Sequence, residues 1–391
     1  MYYICRLGAL KNYIWFVCDL LPAYLIIAPL VFYEVNNISI LITGGCGFIG
    51  SNLSLLLKEK YPFYSVTALD NLKRRGSELN ISRLKAAGIE FIHGDIRNRE
   101  DLELDKKFDY IIDAAAEPSV MAGMGAALSY VINTNLTGTI NTLELAARSG
   151  AKFIFLSTSR VYPIEHLEHI NYTEGATRFE LSAEQTLAGV SERGIAENFP
   201  LDKARSVYGS TKLASELMIE EFREFFDVQY VINRCGVIAG PYQMGKVDQG
   251  VITLWVARHY WKKDIAYFGY GGTGKQVRDA LHIFDLFDLV DFEIHNFDRV
   301  NGKTLNAGGG MGSSVSLQEL TRVCEEITGN KVGSQSVLEN RKGDIPLYVT
   351  DNTKIIRETG WQPKRDINNI IGDIFSWINK NEQQLKPILD S

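Results

Sequence analysis

A tyrosine and a lysine four residues apart, Tyr208 and Lys212 in the run YGSTK, are the first pair that could do chemistry. Positions i and i+4 share a helix face, so an ammonium can lie beside a phenol. A neighbouring cation favours phenolate and lowers the tyrosine pKa toward a working range, as a general base requires. Upstream, the stretch LSTSRVY (156–162) ends an apolar run with a hydroxyl cluster, Ser157, Thr158 and Ser159. A hydroxyl at a strand's carboxyl end can hydrogen-bond an oxygen that alternates between alcohol and ketone. A lone YxxxK occurs in many helices, so the surrounding elements decide its meaning.

Those elements alternate. From Ile38 onward, short β-branched runs trade with helical stretches, the pattern of parallel βαβ units. Strands are expected at Ile38–Ile42, Val66–Leu69, Glu90–His93, Tyr110–Asp113, Phe153–Leu156 and Val228–Asn233. Helices are expected over Asn141–Arg148 and Tyr208–Phe225, with Leu213, Leu217, Ile219 and Phe222 of the latter available for packing. The strands are continuous apolar runs because a parallel sheet is covered on both faces. Past Cys235 the regularity weakens: glycine-rich turns fall at Gly269–Gly274 and Gly308–Gly312, and Ser316–Glu319 (SLQE) is a capping box opening a helix. The expected fold is α/β: a Rossmann-type doubly wound parallel sheet over 36–234, then a smaller C-terminal substrate-binding lobe over 235–391.

The first strand runs into TGGCGFIGSNL, a GxxGxxG turn (Gly44, Gly47, Gly50) between strand and helix. Glycines permit the tight turn and let backbone N–H groups approach a pyrophosphate at the helix N-terminus. Asp70 ends the next strand about twenty residues on, placed to accept hydrogen bonds from ribose hydroxyls and to repel a 2′-phosphate. NAD is therefore the expected cofactor. The basic run Lys73–Arg75 could neutralise a phosphate, but such runs are more often solvated loops. Asp95 closes the third strand, where it either meets the adenine or caps the helix before Arg97–Leu102. Ala114–Ala116 are small residues past the fourth strand, where a flat cofactor could approach.

Composition narrows the classes. With 46% hydrophobic and 23% charged residues the chain reads as an ordinary folded protein, and its net charge of −6 gives no basis for nucleic-acid binding. Five scattered cysteines without a CxxC pair read as reduced thiols, hence a cytoplasmic setting. Cys46 reads as a small space-filler in the glycine loop. His166 and His169 read as an exposed pair, and no metal site is expected. The first 35 residues are different. Ile14–Phe32 (IWFVCDLLPAYLIIAPLVF) is long enough to cross a bilayer. It reads either as a membrane or peripheral anchor or as a mis-assigned start or dispensable extension. Asp19, Pro22 and Pro29, together with Arg6 and Lys11 ahead of it, favour the second.

Together TGGCGFIGSN, Asp70, STSRVY and YGSTK resemble the extended short-chain dehydrogenase/reductase superfamily of nucleotide-sugar epimerases and dehydratases, from roughly Ile38 to Asp373. The resemblance implies that Thr158, Tyr208 and Lys212 form the catalytic Ser/Thr–Tyr–Lys set. It implies cofactor contacts at Gly44, Gly47, Phe48, Ile49, Gly50, Asp70 and Asn71, then at Asp95, Ile96, Ala114, Ala115, Asn135, Tyr208 and Lys212. The dehydratase branch carries Thr-Asp-Glu where this chain has Thr158-Ser159-Arg160. Ser159 and Arg160 supply neither the acid nor the base that elimination of water needs.

Asp248-Gln249-Gly250, GKQVRDALH (274–282), HGDIRN (93–98) and the insert Pro163–Ser206 look like the CDP-tyvelose (CDP-paratose) 2-epimerase branch. That implies inversion at C2 of a CDP-linked sugar, or at C4 if the chain is nearer the UDP-galactose branch. A net NAD-dependent oxidoreductase and a non-enzymatic dinucleotide-binding protein are the other readings. Arg160 and Gln249 are expected at the substrate. Arg278 either grips the diphosphate or forms a salt bridge with Asp279. By analogy the protein is a homo-oligomer. The chain departs from the pattern where the superfamily often has HxAA: Asp113 stands ahead of Ala114–Ala116. The following loop, Glu117–Gly123, also differs, and both departures bear on the sugar.

Overall fold

In the computed structural model, which describes residues 37–122, 128–245 and 249–390, the apolar runs become one sheet of seven parallel strands. The strands β1 (Ser39–Thr43), β2 (Ser65–Asp70), β3 (Glu90–His93), β4 (Tyr110–Asp113) and β5 (Lys152–Thr158) follow the sequence expectation within two residues. Across the sheet the order is β3, β2, β1, β4, β5, then Tyr230–Cys235 and Lys303–Ala307. The order reverses between β1 and β4, and a ligand crevice opens at the carboxyl ends of strands beside such a switch.

Alternation along each strand builds two cores. Ile40 and Ile42 of β1, Ile112 of β4 and Ile154 of β5 pack on one face with Leu53 and Leu57 of α1 (Phe48–Lys60). Leu41, Ile111, Phe153 and Phe155 face the other side, toward Leu143, Ile219 and Phe222. The helix Gly138–Ser149 contains the expected 141–148 segment, and Val207–Phe226 extends the expected 208–225 helix by one residue at each end. Leu217 departs from expectation: it points to solvent, 59% exposed, alongside Phe225 and Phe226. Its neighbours Ile219 and Phe222 occupy the buried stripe, and one helix cannot turn all four positions inward.

The chain past Cys235 contributes to more than one layer. Lys303–Ala307 returns to the main sheet as its edge strand. Val237–Ala239, Val277–His282 and Ser314–Ser316 form a second sheet, with Leu347–Tyr348 added to the central strand. The capping box is present, Ser316 and Glu319 bonding reciprocally at the start of Leu317–Thr328. The insert from Pro163 to Ser206 folds as a short helix and two small hairpins, and its Phe179, Ile195 and Phe199 pack with Val277 and Tyr348. Asp248, Gly123 and the apolar 14–32 segment lie outside the described residues. No helix among the described residues is long and apolar enough to cross a membrane.

Behind the sheet, Glu293 is fully buried, and among the described residues its one hydrogen bond is accepted from Asn233 Nδ2 at 3.1 Å. Glu293 Oε1 and Asn233 Oδ1 have no partner, and burial pushes the carboxyl up to about 8. The folded state therefore keeps a proton that the unfolded chain releases at ordinary carboxylate pH. Stability falls as pH rises from about 4.5 through about 8. Glu293→Gln removes this dependence. Its thermal stability is expected to match the wild type near pH 4–5 and to exceed it by ~4 kcal/mol at pH 8, read by calorimetry across that range.

Candidate active site

The glycine turn is built by close approach. Gly44 takes φ +64°, and a Cβ there would meet the Ala115 backbone at 2.9 Å. A Cβ on Gly50 would fall 2.2 Å from the Gly44 carbonyl oxygen, so Gly50 lets α1 pack onto the turn rather than facing the crevice. Gly47, the N-cap of α1, has no side chain to satisfy the first N–H groups of the helix. A Cβ at Gly47 would meet only the Gly44 carbonyl oxygen, at 3.1 Å, so the space above it is open. This cradle of free backbone donors and missing Cβ atoms fits a pyrophosphate. Asp70 Oδ2 accepts from Cys46 N at 3.0 Å and Oδ1 from Leu72 N at 2.7 Å, so the carboxylate also pins the turn. The Cys46 thiol is buried beside it and pushed up to about 12, by burial first and then by Asp70.

A cleft of about 1030 Å³ runs from this cradle across the sheet ends. Gly44, Gly47, Phe48, Ile49, Asp70 and Asn71 wall one end, and Ile96, Ala114 and Ala115 the middle. Thr158, Tyr208, Arg160, Gln249 and Arg278 wall the rest. Four expected site residues lie behind the wall: Gly50, Asp95, Asn135 and Lys212. The Asn135 side chain clamps the Glu117 backbone, accepting from its N–H at 2.7 Å and donating to its carbonyl at 3.1 Å. Asp95 neither faces the cleft nor caps the following 3₁₀ turn, whose N-cap is Asn98. Asp95 is taken up by Arg97 at 2.6 Å and Asn71 at 2.9 Å. Against burial, these partners pull it down to about 2. The Lys73–Arg75 run is not a loose loop: it borders the cleft, and Arg75 donates to the Pro387 carbonyl at 2.7 Å.

At the chemical end, Thr158 Oγ1 accepts from Arg160 N–H at 3.2 Å, and its hydroxyl acts to lower the Tyr208 pKa. Burial pushes the Tyr208 phenol up to about 12, opposed by Thr158 and by the Arg160 charge. Lys212, expected to act on Tyr208, is not among the groups that act most strongly on the phenol. Lys212 turns inward, its Nζ 3.8 Å from the centre of the Phe155 ring, and burial lowers its pKa to about 8 while Asp113 and Glu216 oppose. The cation that lowers Tyr208 is Arg160, itself brought down to about 10 by burial and the neighbouring Arg278.

Arg278 is not paired with Asp279. Along a strand the two point to opposite faces. Arg278 Nη2 reaches Asp344 Oδ1 and the Ile345 carbonyl, both at 2.7 Å, while Asp279 is buried and accepts from Gly310 N at 3.0 Å. Arg341, from the same loop as Asp344, lies 3.6 Å over the Phe268 ring and borders the cleft with Lys342. Glu117, a carboxylate in the wall near Tyr208, opens the loop that departs from the family pattern, whereas Arg341 carries no sequence signal and its loop is placed only by tertiary contact. His166 is not exposed as expected: it packs edge-on against Phe199 and bonds Asp202 at 2.8 Å. No group of three or more metal-ligating side chains occurs among the described residues.

A Rossmann sheet with a phosphate cradle at its switch point and a Thr–Tyr pair in the adjoining wall defines a dinucleotide-dependent enzyme acting on an alcohol or ketone. The chain belongs to the NAD-dependent epimerase/dehydratase family, whose profile matches residues 40–308. It is 31% identical to the CDP-paratose 2-epimerase of Salmonella typhi, over 86% of this chain and 98% of that relative. It is 28% identical to a dTDP-glucose 4,6-dehydratase of Streptomyces griseus, over 90% of this chain and 97% of the other. Its fold is similar to that of UDP-glucuronic acid 4-epimerase from Bacillus cereus, solved with UDP-glucuronic acid and NAD. The TM-score there is 0.71 at 24% identity, over 88% of this chain and 99% of that one. The protein is an NAD-dependent enzyme of nucleotide-sugar chemistry.

Proposed function

We propose that the protein epimerises a nucleotide-diphosphate sugar by transient oxidation to a keto-sugar, and that the reaction is CDP-paratose to CDP-tyvelose, at C2. The observation that carries epimerisation is Thr158 and Tyr208 together in one cleft wall, the hydroxyl acting to lower the phenol pKa, where Ser159 and Arg160 follow Thr158. This arrangement suits alcohol–ketone exchange and lacks, at those two positions, the acid and base of elimination. The likeness to the Salmonella typhi enzyme supports C2 and CDP.

Tyr208 takes the proton from the sugar hydroxyl, and Thr158 hydrogen-bonds that oxygen as it becomes a carbonyl. Bound NAD supplies reversible two-electron oxidation of the same carbon, with no net change over a cycle. Tyr208 returns the proton when the alcohol is restored on the opposite face. Arg278 and Arg160 hold the diphosphate, with Gln249 beside them, while the sugar turns. In this reading residues 36–234 carry the cofactor and the catalytic set, and 235–391 mainly the nucleotide sugar. The exposed Leu217, Phe225 and Phe226 support a second copy of the chain as partner.

Proton NMR of the full-length protein with CDP-paratose, and separately with UDP-glucose, tests the assignment. Inversion at C2 of the CDP sugar is the expected result; inversion at C4 of UDP-glucose with no change in CDP-paratose overturns the finer reading. Arg278→Ala is expected to raise KM for the accepted sugar nucleotide ~10-fold while kcat stays within about 3-fold, because the lost grip is uniform binding. Steady-state kinetics decides it.

A further inference from the structure

The buried row under the catalytic helix contains a carboxylate that the mechanism above does not use. Thr43 of β1, Asp113 of β4 and Phe155 of β5 are register partners, Thr43 with Asp113 and Asp113 with Phe155. Register partners in a parallel sheet send their side chains to the same face. Lys212, from the helix above, rests its ammonium on this row, 3.8 Å from the centre of the Phe155 ring. Asp113 and Lys212 are both buried, at 0% and 1% exposure. Hydroxyls hold the carboxylate in place: Thr43 Oγ1 lies 2.6 Å from Oδ1 and Thr139 Oγ1 lies 3.0 Å from Oδ2.

We infer that Asp113 is a positioning residue for Lys212: its carboxylate keeps the buried ammonium ionised and seated over Phe155 at the floor of the active site. The inference rests on the reading that Lys212 serves the reaction.

An ammonium in an apolar interior sheds its proton unless a negative charge faces it. Three titratable groups bear on Lys212: Asp113 from β4, Glu216 one turn along the same helix, and Cys235 from the strand beyond β5. Glu216 is already committed. Arg234 Nη2 reaches it at 2.7 Å and Ser157 Oγ at 2.5 Å, so its charge is largely matched. The Cys235 thiol is pushed up to about 12 by burial first and then by Glu293, and stays neutral. Asp113 is left as the unmatched carboxylate; burial raises its pKa, and Lys212 is the foremost group opposing that rise, followed by the donated hydroxyls of Thr43 and Thr139. The two make no direct salt bridge. Phe155 neighbours both, Asp113 as its register partner and the ammonium over its ring, whose face itself favours the cation.

The test follows Lys212 itself. Lysine labelled at Cε and Nζ is introduced into the full-length protein, and Lys212→Gln identifies its signal. The midpoint of the Lys212 titration is then compared between wild type and Asp113→Asn, each checked for cooperative unfolding and bound NAD. Asparagine keeps the shape and removes the charge. The midpoint is expected to fall by at least about one unit, a ten-fold loss of proton affinity. The alkaline limb of kcat against pH, measured on the sugar nucleotide that is turned over, is expected to move down with it.

Thr43→Val, which removes the 2.6 Å donor and leaves the carboxylate, is expected to give a smaller fall. It serves as the deciding variant if Asp113→Asn does not fold. A Lys212 midpoint unchanged within about 0.3 unit in the folded variants overturns the inference. Retained turnover in Lys212→Met would remove the catalytic role of Lys212, and the titration would still decide whether Asp113 holds it.

Discussion

Replacing Tyr208 by phenylalanine is expected to lower turnover at least ~10³-fold, about 4 kcal/mol of barrier, while the purified protein keeps its NAD. In the cleft wall the Tyr208 phenol is the proton-transfer group whose pKa Thr158 lowers, and phenylalanine removes only that oxygen. Arg160 remains free to hold substrate, so KM should move less than kcat. Thr158→Ala tests the partner: it should cost less than Tyr208→Phe, because Thr158 orients a proton that Tyr208 moves. Turnover within ten-fold of wild type in Tyr208→Phe would sink the assignment of the base.

The second large effect is on stability. Arg234 and Glu216 form an ion pair with side chains only 8% and 4% exposed, bonded at 2.7–3.2 Å. Burial works against the Arg234 charge, and Glu216 more than restores it. Arg234→Met leaves Glu216 buried with Ser157 as its remaining partner. The expected loss is ~3–5 kcal/mol, the usual result of stranding one charge of a buried pair. Pairing Arg234→Met with Glu216→Leu should recover most of it, since two apolar side chains strand nothing. Denaturant unfolding of both variants checks this; a double variant no more stable than the single would show that lost packing dominates.

What the sequence made legible was local. The glycine turn, Asp70 and the YxxxK helix each depend on residues close in the chain, and β3 and β4 lie where the apolar runs place them. The capping box at Ser316 is a four-residue signal and is readable for the same reason. Lys303–Ala307 (KTLNA) has no β-branched run; it joins the main sheet only by pairing with Tyr230–Cys235. Nothing adjacent to Arg278 indicates that Asp344 is its partner. Helix spacing places Tyr208 and Lys212 on one side but does not fix where a long side chain ends. Lys212 ends over the Phe155 ring, in the field of Asp113 and Glu216. Asp95, readable as an adenine contact or a helix cap, instead answers the nearby Arg97 charge.

The most direct test of the account uses a sugar nucleotide the protein epimerises, CDP-paratose first, carrying deuterium at the carbon that inverts. The protein is purified without added cofactor and the reaction is run in ordinary water. The expected product has inverted configuration and keeps its deuterium at the same carbon, over many turnovers for each bound NAD. Deuterium lost to solvent, or product that stops at one equivalent of bound NAD, would contradict the account.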